Sequence, residues 1–316
     1  MRVLLINLEF DCAGVAWNLR NALQAMGHEA QHVTRRPTYA ASHTDKLFKH
    51  VDDIMPLCEW ADVLHFNQWI WTHTPGMHTL EFLPGNPNGV GNHPFKRFVG
   101  HKQFVYHFHG GKHQLCPDYW IDECKAANAA MLKCDPLCPI PEARWIPNVL
   151  DIQPEQQVDY DGPFQVAVMG SLSDQRRNNM QVQHALNYLG IKHNFFGTVP
   201  RDEALHQRKQ YQVTIDNFTQ GFTGMWSWEA LSMGQVVIAR LDDAVGEAYD
   251  TEIGEGDPCP IQHAANVDVA MAYLRMLMRK RDMVQRIGQA GIDWMRKHYS
   301  QESIATKYLE VYRRGL

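Results

Sequence analysis

The sequence predicts an α/β protein of two doubly wound domains, each a largely parallel sheet covered by helices on both faces. Three observations lead there. The chain has 316 residues, more than one hydrophobic core usually sustains and about the length of two domains. Short apolar runs alternate with stretches of helical period through both halves, the order of parallel βαβ units. Between the two sets lies residues 153–163 (QPEQQVDYDGP), polar, carrying two prolines and without periodicity, which reads as a linker.

RVLLINL is a first buried strand. Gly14 to Met26 has apolar residues at helical spacing, Gly27 stops that helix, and EAQHVT starts a second strand. ADVLHF is a third strand, and HKQFVYHFHGG a fourth that ends in two glycines; the run from Asp118 to Lys133 reads as a helix. Residues 67–100, rich in Gly, Pro, Asn and aromatics, form a long irregular segment, which in a compact α/β domain is usually functional. After the linker come a strand (FQVAVMG), a helix from Asn178 to Leu189, a strand (KHNFFG), a helix (RDEALHQRKQ) and a strand (YQVTIDNF). From Asn266 onward the chain is nearly all helical, with apolar faces. The expected domains are residues 1–155 and 156–300, with a closing helix at 301–316 that returns to the first.

Net charge is −5 with histidine neutral, and neither half is a basic nucleic-acid module by bulk charge. The apolar opening is too short for a signal peptide, with Glu9 and Asp11 following at once, and no uncharged run approaches a spanning helix. A soluble, cytoplasmic protein is expected. Seven cysteines without a secretory signal argue for reduced thiols. Cys116, Cys124, Cys134 and Cys138 cluster near His113, but only Cys134 and Cys138 have the spacing of a zinc ligand pair, so ordinary buried thiols are the stronger reading. Asp159-Tyr160-Asp161 matches a metal-binding D-x-D pattern but sits in the linker, which favours coincidence.

The densest chemistry lies in Gly221 to Arg240, GFTGMWSWEALSMGQVVIAR. Gly221 and Gly224 permit unusual φ and close backbone approach, Ser227 and Glu229 open a helix, Gly234 ends it, and VVIA is a buried strand. Backbone N–H groups at such a helix start favour anions. Glu229 then stands beside a phosphate-facing turn. Trp226 and Trp228 read as core residues.

Taken in order, several motifs resemble the retaining nucleotide-sugar glycosyltransferases of the two-Rossmann-domain GT-B class, the group that includes glycogen and sucrose-phosphate synthases. RVLLIN with Gly14 looks like the first strand and glycine loop, and ALQAMGHEA like the L-x-x-x-G-H-E-V helix exit. FVYHFHGG resembles the strand with the H-G turn, WIPNVLD the I-P-N-G-V-D entry to the donor domain, VAVMGSLSDQRRNN the phosphate loop and EALSMGQVVIA the E-A-M-A-C-G-x-P-V-V-A run. The resemblance implies two Rossmann-like domains facing a cleft. It implies a donor site of Gly14, Arg176, Arg177, Thr223, Gly224, Met225 and Glu229, with Glu229 on the ribose hydroxyls and His109 as the catalytic-domain histidine near the transferred sugar. His107, on the same strand face, is expected to be a core histidine. The family often carries an acid eight residues before that Glu; here the position is Gly221.

The expected activity is metal-independent, retaining transfer from a nucleotide sugar, UDP-linked first, with no cofactor. Trp69, Trp71 and His73 are the expected acceptor residues, in a locally basic, aromatic stretch that suits sugars or a flipped base in DNA. A virus-type transferase acting on 5-hydroxymethylated pyrimidines is the specific alternative. A nucleotide-sugar epimerase, a non-catalytic nucleotide-sugar-binding protein and a nucleic-acid-binding module remain rivals.

Overall fold

A computed structural model of the chain describes residues 1–10, 14–36, 43–69, 94–109, 121, 124–125, 127–138, 140–151, 157–174, 177–197 and 199–314. The chain divides into two compact units, one of Met1–Val149 with Gln301–Leu316 and one of Leu150–Ser300.

The first unit is built on a parallel sheet of β1 (Arg2–Phe10), β2 (Glu29–Arg36), β3 (Lys46–Leu47), β4 (Val63–Trp69), β5 (Gln103–His109), β6 (Ala130–Lys133) and β7 (Arg144–Trp145), in the order β3-β2-β1-β4-β5-β6-β7. The crossovers include α1 (Val15–Ala25) and α2 (Met55–Trp60). Alternation along β4 and β5 sorts the two faces. Leu64, Phe66, Phe104, Tyr106 and Phe108 enter an aromatic core with Ile54, Cys58 and Phe95. His65, Asn67, Val105, His107 and His109 take the opposite parity, and they too are buried, because a sheet of this kind is covered on both sides.

The expected helix to Lys133 ends early. Asn128 takes φ +50°, in the left-handed region, and Ala130–Lys133 instead pairs with Val105–Phe108 as β6. A sheet edge offering four ladder partners outweighs local helical preference.

The second unit holds β8 (Gln165–Val168), β9 (Lys192–Phe195), β10 (Val213–Ile215), β11 (Val236–Ala239) and β12 (Gln262–His263), all parallel, in the order β12-β11-β10-β8-β9. Its helices are α3 (Asn179–Tyr188), α4 (Arg201–Arg208), α5 (Met225–Met233), α6 (Asp243–Ala248), α7 (Val267–Arg279) and α8 (Arg281–His298); α9 (Gln301–Arg314) belongs to the first unit. Asn266 caps α7, its side chain accepting from Val269 N at 3.0 Å. On α8 the buried residues Val284, Gly288, Gly291, Ile292 and Met295 form one face, and Arg296, Lys297 and His298 complement the helix dipole in its last turn.

Gly288 lets α8 approach α5. A Cβ there would lie 2.1 Å from both Gly234 O and Tyr160 Oη. Tyr160 donates its hydroxyl to the Gly234 carbonyl at 2.5 Å, so the middle of the D-x-D triplet serves packing, while Asp159 accepts from the Asp161 amide at 2.9 Å. Cys124, Cys134 and Cys138 are free thiols, and among the described residues no three His, Cys, Asp or Glu side chains could hold a metal ion; Cys116 and His113 lie outside the described residues. Also among the described residues, no helix is long and apolar enough to cross a membrane.

Gly288→Ala is expected to destabilise the second unit by about 1–3 kcal/mol, measured as a lower urea midpoint at an unchanged m-value. An unchanged midpoint would show that α8 and α5 are not in backbone contact at this place.

Candidate functional site

Where strand order reverses in an open parallel sheet, the loops leaving the carboxyl ends part and leave a ligand crevice. In the second unit this place is between β8 and β10, since β9 lies on one side of β8 and β10 on the other. The chain leaves β8 through Gly170, at φ +88°. A Cβ there would meet Arg177 Cδ at 3.0 Å and Asn179 Nδ2 at 3.2 Å. Asn179 donates to the carbonyls of Met169 and Ser171, at 2.9 and 2.7 Å, which pins the turn. Gly197, at the end of the neighbouring β9 segment, would place a Cβ 2.4 Å from Ser171 N, so these two strand ends touch backbone to backbone.

Arg177 reaches across this turn. Its Nη1 donates to Asp216 Oδ1 and its Nε lies 3.4 Å from Asp174 Oδ2. Asp216, at the end of β10 and 2% exposed, also accepts from Ser227 Oγ at 2.8 Å. One network thereby joins the loop after β8, the end of β10 and the first turn of α5. Arg176 lies outside the described residues.

Helix α5 starts at Met225 with Gly224 as its N-cap, and no side chain caps it. The expected start at Ser227 is therefore two residues late, and Glu229 sits in the second turn. Gly224 is extended at φ −102°, while Gly221 takes φ +78° and Gly234 φ +85°. The Thr223 amide donates to the Tyr249 hydroxyl at 3.2 Å, which leaves the uncapped start of the helix, at Gly224 and Met225, as the anion-attracting end of the turn.

The Glu229 carboxylate is buried between two arginines that sequence reasoning passed over. Arg201 Nε donates to Oε1 at 2.8 Å and Arg208 Nη1 to Oε2 at 3.1 Å. Both come from α4, seven residues apart and so on one face; that spacing was the available signal. Arg208 is fully buried. It donates to Trp226 O and Gln235 Oε1, each at 2.9 Å, and lies 3.6 Å over the Trp226 ring. Burial lowers its pKa to about 10, against the opposing pull of Glu229; it stays charged at neutral pH. Arg201 also lies 3.9 Å from Asp202 Oδ1, so these two cations are matched by two carboxylates. The carboxylate has about four acceptor sites, of which these two arginines use two. Trp226 and Trp228 are core: Trp226 Nε1 donates to Thr214 Oγ1 at 3.0 Å, and Trp228 stacks on Trp294 and meets Tyr299 at a tilt of 30°.

Gly221 is explained by its neighbour. A Cβ at this position would lie 2.3 Å from the Asp242 carboxylate, and Asp242 N donates to Gly221 O at 2.7 Å. The side chain absent at 221 is replaced in space by the carboxylate of Asp242, which Arg240 Nη2 meets at 3.1 Å.

In the first unit the reversal lies between β1 and β4. Gly14, at φ +72°, opens α1 as its N-cap. The polar face of β4 and β5 holds His65, His107 and His109 beneath Tyr308 and Tyr312 of α9. Tyr312 Oη and His65 Nδ1 share a hydrogen bond at 2.5 Å, and the His107 and His109 rings lie 4.3 Å apart. His109 Nε2 lies 3.3 Å from Asn67 Oδ1. Burial, more than any neighbour, lowers His65 to about 3 and His109 to about 4, and it also holds His107 well below its usual range. His107 is a core residue as expected, but no backbone group satisfies it; both its nitrogens lack a partner among the described residues. Trp69 ends β4, its side chain undescribed, and Trp71 and His73 lie outside the described residues.

No family model and no curated protein matches the sequence. Solved structures do match in fold. The catalytic domain of starch synthase IV from Arabidopsis thaliana is 11% identical over 99% of each chain, with a TM-score of 0.62. Anabaena HepE is 11% identical over 99% of this chain and 100% of its own, also at 0.62. Sucrose-phosphate synthase from Thermosynechococcus elongatus is 12% identical over 99% and 98%, at 0.55. The fold is GT-B. Each unit of this GT-B chain is a Rossmann-like parallel sheet, as the motif order implied.

The buried histidines give stability a defined pH dependence. The unfolded chain binds protons near 6.5, whereas folded His65 and His109 bind them only near 3 and 4. Stability is therefore expected to fall as pH drops from about 6.5 towards 4, by about 3 kcal/mol per such histidine. Urea midpoints between pH 7.5 and 4.5 measure it, and His65→Gln with His109→Gln should flatten the slope.

Proposed function

We propose that this chain is a glycosyltransferase that moves a sugar from a nucleotide diphosphate donor to an acceptor hydroxyl. One observation carries the reading: Arg177, ion-paired with Asp216, and the uncapped start of α5 meet at the strand-order reversal of the second unit. Such a place offers a diphosphate both a guanidinium and backbone N–H groups. The solved structures of like fold include HepE in complex with UDP and glucose and starch synthase IV bound to ADP and acarbose. A UDP-linked sugar is the donor we assign first.

In the reaction the bond from the anomeric carbon to the diphosphate oxygen breaks, and its electron pair leaves with the phosphate. The acceptor oxygen forms the new bond on the same face of the sugar, and its proton passes to the departing phosphate oxygen. Retention follows from same-face attack. Charge grows on the leaving group, and Arg177, Arg176 and the α5 start are the groups we assign to stabilise it without a metal. Glu229 takes ribose hydroxyls on its two remaining acceptor sites, held in place by Arg201 and Arg208. Asp242 takes sugar hydroxyls, in place of the acid that resembling enzymes carry at position 221. Trp69, Trp71 and His73 are proposed to face the acceptor, and the cytoplasm is the proposed site of action.

A thermal-shift panel of nucleotide sugars, followed by mass spectrometry with glycan and hydroxymethylated-DNA acceptors, tests this directly. One donor should raise the Tm, and its sugar mass should appear on one acceptor class. Arg177→Ala is expected to weaken donor binding by about 10- to 100-fold, the loss of a charge-assisted contact. Unchanged affinity would sink the donor-site assignment. Asp242→Asn should lower discrimination among donor sugars by about tenfold while binding of the free nucleotide stays constant; equal losses for both would remove Asp242 from sugar recognition.

A further inference from the structure

A neutral imidazole has one nitrogen that donates and one that accepts. Which is which depends on what the fold sets against the ring. For His109 a single side chain does this among the described residues. Asn67 Oδ1 lies 3.3 Å from His109 Nε2, a diagonal contact across two parallel strands in which Asn67 pairs with His107 and Trp69 with His109. Asn67 is 5% exposed and its Nδ2 has no partner among the described residues. The amide thus presents its acceptor end to the histidine, although a partner for its donor end is also lacking. On the other side His107 lies against His109 with neither of its own nitrogens hydrogen-bonded among the described residues, so it sets no proton position.

We infer that Asn67 is a positioning residue that holds His109 as the neutral tautomer protonated at Nε2, leaving Nδ1 as a hydrogen-bond acceptor. The tautomer is independent of the enzyme's activity; the use of the Nδ1 acceptor, to orient a hydroxyl of the sugar or acceptor, rests on the glycosyltransferase reading. An amide suits this role where a carboxylate does not. Asp at 67 would accept the same Nε2–H bond but would also draw a second proton onto Nδ1, turning the acceptor into a donor and charging the ring. Asn67 fixes the ring's orientation without charging it. Burial keeps His109 neutral at pH 7, and the two effects act together.

Imidazole 15N–1H correlation spectra of the full-length wild-type chain at pH 7 read the tautomer directly, with the His109 signals assigned by their loss in His109→Gln. Protonation at Nε2 is expected; protonation at Nδ1 overturns the inference, whatever the enzyme does. Asn67→Asp is expected to raise the His109 titration midpoint by more than about one pH unit. It should also lower kcat for transfer by about tenfold, with donor KM changed less than about twofold. A midpoint that stays at its wild-type value shows that residue 67 does not govern the ring, and the inference fails. An Nε2–H signal from a protein that transfers no sugar upholds the tautomer and removes the glycosyltransferase reading instead.

Discussion

Burying a carboxylate is costly unless a cation and hydrogen bonds come with it, and among the described residues of the second unit two are buried. Asp216 ends β10 and Glu229 stands inside α5, exposed by 2% and 5%. Arg177 and Ser227 answer the first, Arg201 and Arg208 the second. These pairings do more than neutralise charge. They tie the loop after β8, the end of β10, α4 and α5 into one framework, so the groups assigned to a donor are held by partners that would be left uncompensated if they moved. Removing one member of such a set typically costs about 3–5 kcal/mol, so loss of function and loss of folding have to be measured separately at Arg208.

On the histidine face of the first unit the buried polar groups are neutral instead. His65, Asn67, His107 and His109 lie on one face of β4 and β5 under two tyrosines, and burial keeps the rings uncharged. A framework that carries guanidinium groups suits a diphosphate, whereas one of uncharged rings and amides suits hydroxyls, which it can orient without binding the leaving anion. The division of labour proposed for the two units follows from that difference between ionised and neutral groups.

Glycines mark where backbone, not side chain, sets the distance. Gly170 and Gly197 bring two strand ends together, Gly288 brings α8 onto α5, and Gly221 yields its space to Asp242. In the sequence Gly221 reads as a missing acid. In three dimensions an acid stands beside it, delivered from 21 positions later by the return of the chain through β11.

Alternating apolar runs, the glycine-bounded strand ends and the apolar faces of the closing helices were enough to determine two parallel α/β units and the place of the Gly221 to Arg240 run, because those signals are local and repeat with the period of each element. Two-residue strands such as β3, β7 and β12 carry no period and were invisible, and β6 was read as helix because only its pairing with β5 makes it a strand. The partners were also beyond reach. Arg201 and Arg208 on Glu229, Asp242 against Gly221, and Asn67 beneath His109 are contacts between residues 21 to 42 positions apart. Such pairs exist only once the sheet has set strand order and register, and it is tertiary packing, through the cost of leaving a buried polar group unpaired, that decided which side chains they join.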